Sequence, residues 1–366
     1  MRFSIKQESL LKALLITAGI IDRKQTLPVL ANILISINDN KMSLTGTDLE
    51  LEIVVCADFE EGDDGQVTLP AKKITDICRS LPKDSILEFK ISENRVVVRS
   101  GRSRFTLATL PAAEYPSLDD IKYDCEFSIP QNVLKALIER TQFAMAQQDV
   151  RYYLNGLLLE VSENVVRTVA TDGHRLALSE QNIEIDIKEN QQVIIPRKGV
   201  LELAKLLEDS EENVRVQLGN NHIRVCASNK QFTSKLIDGR FPEYQRVVPQ
   251  GGDKVVFANA EELKQALIRA AILTNEKYRS IRFQLEFNCL RVLANNPEQE
   301  EAEEEVTVDY SGEELDIGFN ATYMLEAVNA IQEESVKLTL SDADSCCLVE
   351  SEANQACRYV VMPMRI

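Results

Sequence analysis

Asp172 and His174 flank Gly173, and they are the residues whose types and spacing most invite a chemical reading. On a strand, residues two apart share a face, and a carboxylate beside an imidazole is a minimal general acid/base pair. Nothing accompanies them: the chain carries no GxSxG, HExxH, P-loop or GxGxxG signature, and its one other histidine is His222. A pair without nucleophile, metal set or phosphate cradle has no reaction to serve. The competing reading makes Gly173 part of a tight turn in which Asp172 accepts hydrogen bonds from backbone amides. The acidic run Glu298 to Glu305 is the second candidate, as a hard-cation site. Consecutive carboxylates on a strand point to opposite faces, whereas such cations need converging oxygens, so a solvated strand or a charged interface fits better. The eight cysteines include no CxxC spacing, which in a chain of this size suits reduced, mostly buried thiols of a cytosolic protein. With two histidines available a zinc site is not expected, and neither is any cofactor.

What positions Asp172 is a stretch that recurs. TVATDGHRLA (168–177), SLTGTDLELE around Asp48 and VLANNPEQEE around Asn296 are spaced 124 residues apart. Upstream of each, Leu11, Leu134 and Leu263 open apolar runs of helical spacing; downstream, 69–81, 195–207 and 319–331 predict a second helix per copy. Each copy then closes on an alternating hairpin followed by Phe105, Phe232 or Tyr359, 127 residues apart. A fixed period marks one structural unit used repeatedly. The expectation is α+β, with three similar domains at 1–123, 124–250 and 251–366, each laying two helices on antiparallel sheet. The second unit's helix is expected to run into AQQDVRYYLNG (146–156), placing Arg151, Tyr152 and Tyr153 at a helix-to-strand junction.

The net charge of −17 argues against nucleic acid, but its distribution argues otherwise. Lys and Arg outnumber acids four to two over 6–24, four to one over 69–83, three to one over 195–207 and five to two over 262–282. Basic helices in an acidic protein, repeated in register, suit a ring with one equivalent face turned inward, since head-to-tail contacts of repeated units either close or grow into filaments. A repeat scaffold binding proteins alone fits the charge and leaves those helices unexplained. No run of 18 apolar residues exists, so no membrane span is expected; LLKALLITAGII (10–21) resembles a signal peptide but contains Lys12, which favours an amphipathic helix.

These motifs, with SGRSRFTLATLPAAEYP (100–116), QDVRYYLNG (148–156), PRKGV (196–200), FTSKLIDGRFPEY (232–244), AAILTNEKYR (270–279) and the terminal YVVMPMRI, closely resemble one family across the whole chain: the β sliding clamps, processivity subunits of bacterial DNA polymerase III. The resemblance implies the DNA clamp fold, in a head-to-tail homodimeric ring of six domains, helices lining the hole, in the bacterial cytoplasm at the nucleoid, without chemistry of its own. It implies sequence-independent contact with duplex DNA by Lys24, Lys72, Gln148, Arg151, Tyr152, Tyr153, Arg197 and Lys198. Lysine stands at 24 where the family frequently has arginine. A hydrophobic cleft is implied that grips partner peptides bearing a glutamine and bulky apolar anchors. Its lining would be Leu154, Thr171, Gly173, His174, Arg175, Leu176, Pro242, Arg246, Val247, Asn320, Tyr323, Cys346, Val360, Val361, Met362, Pro363, Met364 and Arg365, with Cys346 where serine is expected. Partners through this cleft would be the polymerase III catalytic subunit, other polymerases, the clamp loader, and repair and replication-control proteins. The implied dimer seam sets Phe105 and Leu107, with Ile77 and Leu81, against Ile272 and Leu273, and Lys73, Arg102 and Arg104 against Glu298, Glu300, Glu303 and Glu304.

Overall fold

The computed structural model describes residues 1–21, 27–118, 122–185, 187 and 189–365. Six α-helices lie among them: α1 (Gln7–Thr17), α2 (Ala71–Ser80), α3 (Gln131–Glu139), α4 (Arg197–Leu206), α5 (Ala260–Ala271) and α6 (Ala321–Asn329). Contacts group the chain into two compact units, Met1–Lys135 with Lys198–Leu236, and Ala136–Arg197 with Ile237–Ile366.

The first unit holds two antiparallel sheets. One runs Glu61–Gly62, Arg2–Lys6, Ile86–Ser92, Arg95–Ser100, Ser103–Ala108, leaving the last of these as an edge. The other runs Cys125–Pro130, Asn213–Leu218, His222–Ala227, Lys230–Lys235, Leu51–Ala57, Lys41–Thr47, Asn32–Asn38, Gly65–Pro70. Helix α1 buries Leu10, Ala13, Leu14 and Thr17, the stripe of an amphipathic helix, against this second sheet and α2. The approach is close: a Cβ on Gly46 would lie 2.3 Å from the Thr17 carbonyl oxygen. Gly46→Ala therefore forces helix and strand apart, and we expect it to destabilise the protein by about 1–3 kcal/mol, measured as a lower thermal unfolding midpoint by circular dichroism.

The second unit carries one mixed-origin antiparallel sheet, in the order Gln191–Pro196, Gly156–Val161, Val165–Thr171, Arg175–Asn182, Cys357–Val361, Cys347–Glu350, Ser335–Leu340, Lys254–Asn259, Glu301–Asp309, Cys289–Asn295, Ser280–Glu286, Leu315–Asn320. Helices α5 and α6 pack on each other, each capped by an asparagine side chain, Asn259 and Asn320.

The central repeat is thus divided between the units, and the repeated aromatics show why. Phe232 pairs with Ile53, joining the Lys230–Lys235 strand to Leu51–Ala57 of the first repeat. Tyr359 pairs with Ala177, joining Cys357–Val361 to Arg175–Asn182 of the second repeat. Both side chains are buried in these joints. Hydrogen-bonded sheets therefore run across the boundaries that the sequence period alone suggests.

Two expected helix ends need correction. Helix α3 ends at Glu139 and does not reach 146; Gln142–Ala144 and Tyr152–Leu154 are single 3-10 turns. Thr141 Oγ folds back on the Leu137 carbonyl at 2.9 Å, Gln148 takes a left-handed φ of 56°, and Asn155 bonds both the amide and the carbonyl of Asp149 (2.9 and 2.8 Å), closing 149–155 as a loop. Similarly, α1 stops at Thr17, short of Ile21, and continues as a 3-10 turn over Ala18–Ile20.

Candidate functional site

The Thr-Asp repeat is a turn device. Thr171 Oγ donates to the Arg175 carbonyl (2.6 Å), and Asp172 Oδ1 accepts from the amides of His174 and Arg175 (2.9 and 3.1 Å), with Gly173 at φ 88°. The first repeat does the same with Thr47 to Leu51 (2.7 Å) and Asp48 to the amides of Glu50 and Leu51 (2.9 and 2.7 Å). Asp172 and His174 consequently do not share a strand face, and the acid/base reading gives way to the turn reading. Nor does the acidic run converge: among the described residues no group of three or more His, Cys, Asp or Glu could hold a metal.

The turn presents His174 to solvent, its ring stacked on Tyr323 at 6.4 Å. Arg175 points the other way and is consumed inside the unit. Its Nε meets Asp172 Oδ2 (3.1 Å), Nη2 donates to the Phe143 carbonyl (2.7 Å), Nη1 pairs with Glu326, and the guanidinium lies 4.5 Å from the Tyr323 ring centre. Asn320, capping α6 through the amides of Thr322 and Tyr323, fixes where that tyrosine stands.

Beside this turn, Leu176, Leu178, Phe241, Tyr244, Leu348 and Val360 form a buried floor, against which Tyr153, Val247, Val248 and Cys346 are half-buried. Leu154 and Val361 are buried outside this cluster; Pro242 and Arg246 are exposed. Burial pushes the Cys346 thiol and the Tyr323 phenol up from their ordinary values, leaving both neutral. The chain after Val361 is stitched across this region: the Met362 amide donates to the His174 carbonyl (2.9 Å) and the Met364 amide to the Gly318 carbonyl (2.8 Å). Pro363, Met364 and Arg365 then line an open groove of about 800 Å³ with Asp316 and Asp344.

Sequence reasoning missed Phe143, Glu326, Phe241 and Tyr244. The first acts through a main-chain oxygen, which no side chain announces. Tyr244, however, lies in the FPEY motif, and its hydroxyl donates to Glu160 (2.5 Å) and accepts from Arg167 (2.9 Å), pinning the 241–248 segment to the sheet. Burial pushes its phenol up to about 12.

The basic residues are more committed than their spacing suggested. Lys198 Nζ lies 2.6 Å from Asp48 Oδ2 and donates to the Ile20 carbonyl; Arg197 donates to the Met145 carbonyl at 3.3 Å. Arg151 is paired with Asp149, whose carboxyl is held down at about 2 by that guanidinium. Lys72, Gln148 and Tyr152 are exposed and Tyr153 half-buried, whereas Lys24 lies outside the described residues.

Of the seam residues, Phe105 and Leu107 share one face of the edge strand Ser103–Ala108; Phe105 is half-buried and Leu107 buried, while Arg104, Thr106 and Ala108 are exposed. Ile77, Leu81 and Leu273 are half-buried, Ile272 is 73 % exposed, and Lys73, Arg102, Glu298, Glu300 and Glu303 are exposed. Glu304 is turned inward and takes Arg269 in a fork of 2.8 and 2.6 Å, so it is already paired within its own chain.

Repeated helix pairs on sheets that zip one repeat's last strand to the preceding repeat define a clamp-fold protein. Sequence models of the DNA polymerase III beta subunit match its N-terminal domain at residues 1–119, its central domain at 128–243 and its C-terminal domain at 245–365. The chain belongs to this family, the bacterial β sliding clamps, which are non-catalytic subunits. It is 52 % identical to the β sliding clamp of Pseudomonas putida and 49 % identical to that of Escherichia coli K12, each over 100 % of both chains. Its backbone matches the crystal structure of the DNA polymerase III subunit beta from Pseudomonas aeruginosa with a TM-score of 0.97, at 51 % identity and full coverage of both chains. A sliding clamp from the same organism bound to griselimycin matches with the same TM-score, identity and coverage. No helix among the described residues is long and apolar enough to cross a membrane.

Proposed function

We propose that two copies of this chain close head to tail into a ring of six domains, bounded near residues 123 and 250, that encircles duplex DNA in the bacterial cytoplasm at the nucleoid. One observation carries the reading. Each repeat's last strand pairs with a strand of the repeat before it, through Phe232 and Tyr359, but the first repeat's Ser103–Ala108 has a neighbour on one side alone. At the other end, Glu301–Asp309 pairs along its length with Cys289–Asn295 but meets Lys254–Asn259 only at Val308 and Asp309. The edge strand Ser103–Ala108 at one end of the repeat series, and the side of residues 301–307 that Lys254–Asn259 leaves uncovered at the other, complete the rule when a second chain supplies the partner.

Lys72, Gln148, Arg151, Tyr152, Tyr153, Arg197 and Lys198, with Lys24, would meet DNA phosphates. Phosphate contacts hold without reading sequence, which permits sliding. Polymerases, the clamp loader and repair and replication-control proteins would dock a glutamine-bearing apolar peptide over the floor beside His174 and Tyr323, the half-buried thiol and methionines accommodating different anchors. The test is topological. We expect a native mass of twice 41.2 kDa by light scattering, and retention on nicked circular DNA that is lost when the circle is cut. An ordinary DNA binder would stay on the linear molecule and leave only as salt rises.

A further inference from the structure

Arg151 stands between the two surfaces just assigned. Its Nε and Nη2 fork onto Asp149 (3.0 and 2.9 Å), and the remaining Nη2 hydrogen reaches the Asp172 carbonyl at 3.2 Å. Asp149 is not free to follow it elsewhere: its Oδ1 also accepts the Arg151 amide at 2.8 Å, and Asn155 grips its backbone on both sides. The guanidinium lies over Gly173, where a Cβ would stand 3.0 Å from both Nη atoms. The turn that presents His174 is therefore braced on one side by Arg175 through the Asp172 carboxylate and on the other by Arg151 through the Asp172 carbonyl.

A phosphate takes an arginine best through two parallel N–H groups. With the Nε edge occupied by Asp149, the edge left is Nη1 with Nη2, and its Nη2 hydrogen is the one now on the Asp172 carbonyl. We propose that Arg151 is shared: a duplex phosphate that engages it bidentately withdraws the brace from the 172–174 turn, so DNA and partner peptide are negatively coupled through one guanidinium. Asp149 sets the balance by neutralising the arginine and keeping its phosphate grip weak. The inference rests on the DNA and cleft readings above.

The experiment measures binding of a labelled peptide with one glutamine and apolar anchors to the full-length protein by fluorescence anisotropy, with and without saturating 30-mer duplex DNA at low salt. Wild type should bind the peptide about threefold more weakly when DNA is present, the scale of one exposed charged contact. Arg151→Ala should bind it equally in both conditions, with the weaker affinity throughout. Arg151→Lys keeps a charge for DNA but lacks the fork, so it too should lose the DNA dependence, read at a duplex concentration raised until the variant itself is saturated. Asp149→Asn should bind duplex more tightly than wild type. Equal peptide affinity with and without DNA in a wild-type protein that binds both overturns the coupling alone. Failure of wild type to bind duplex, or to bind peptide, overturns the site reading itself and the coupling with it.

Discussion

Phe105→Asp should convert the proposed dimer into monomers while each domain stays folded. The side chain sits on an edge strand with one hydrogen-bonded neighbour and is half-buried in the isolated chain, so its own core does not depend on it as it does on Leu107 beside it. In the ring it would lie in the apolar centre of the seam opposite Ile272, which is 73 % exposed and wants cover. A carboxylate there loses its water and gains no partner: Arg104 is next in sequence but projects from the opposite face of the strand. The cost is about 4 kcal/mol, roughly a thousandfold in dimer affinity. Light scattering across a dilution series should give the mass of one chain, with an unchanged circular dichroism spectrum. A variant that keeps the mass of two chains would remove Phe105 from the seam.

The period of the chain was legible because three copies fixed one another. A helix or hairpin ambiguous in one repeat was settled by its counterparts, and the helix starts at Ala71, Arg197 and Ala321 follow the predicted spans closely. Gly173 likewise disclosed its turn, since a glycine between Asp and His at a repeated position suits a left-handed residue. The partners of charged side chains were not legible. Lys198 and Asp48 are 150 residues apart, Arg175 and Glu326 are 151 apart, and no spacing rule joins them. Counting basic residues therefore overstated how many cations are unpaired, and counting acids in the Glu298–Glu305 run hid that Glu304 faces inward to Arg269. The end of α3 was missed for a related reason: its stop is made by Thr141, Gln148 and Asn155 acting on the backbone, not by a proline or a glycine.

Truncation after Val361 should weaken peptide capture by a hundredfold or more without unfolding the protein. Cys357–Val361 is paired on both sides, with Arg175–Asn182 and Cys347–Glu350, so the sheet keeps its strand when the tail is removed. What goes is the stretch from Met362 to Ile366, in which the amides of Met362 and Met364 tie the His174 carbonyl to the Gly318 carbonyl. Two consequences combine. Flexible methionines that would close over apolar anchors are lost, and so is the wall that the tail would give the floor around Val360. Each buried anchor contact of this kind is worth about 1–3 kcal/mol, so loss of two should weaken a glutamine-bearing apolar peptide by a hundredfold or more, on the order of 3 kcal/mol. Fluorescence anisotropy reads that loss directly. The melting temperature should move by only a few degrees, about 2–4 °C per kcal/mol for domains of this size, and the native mass should equal that of the untruncated protein, because no tail residue belongs to the proposed seam. A truncated protein that binds the peptide as wild type does would move the partner site off this surface, and would leave Met362 and Met364 as a cover for the strand ends beneath them.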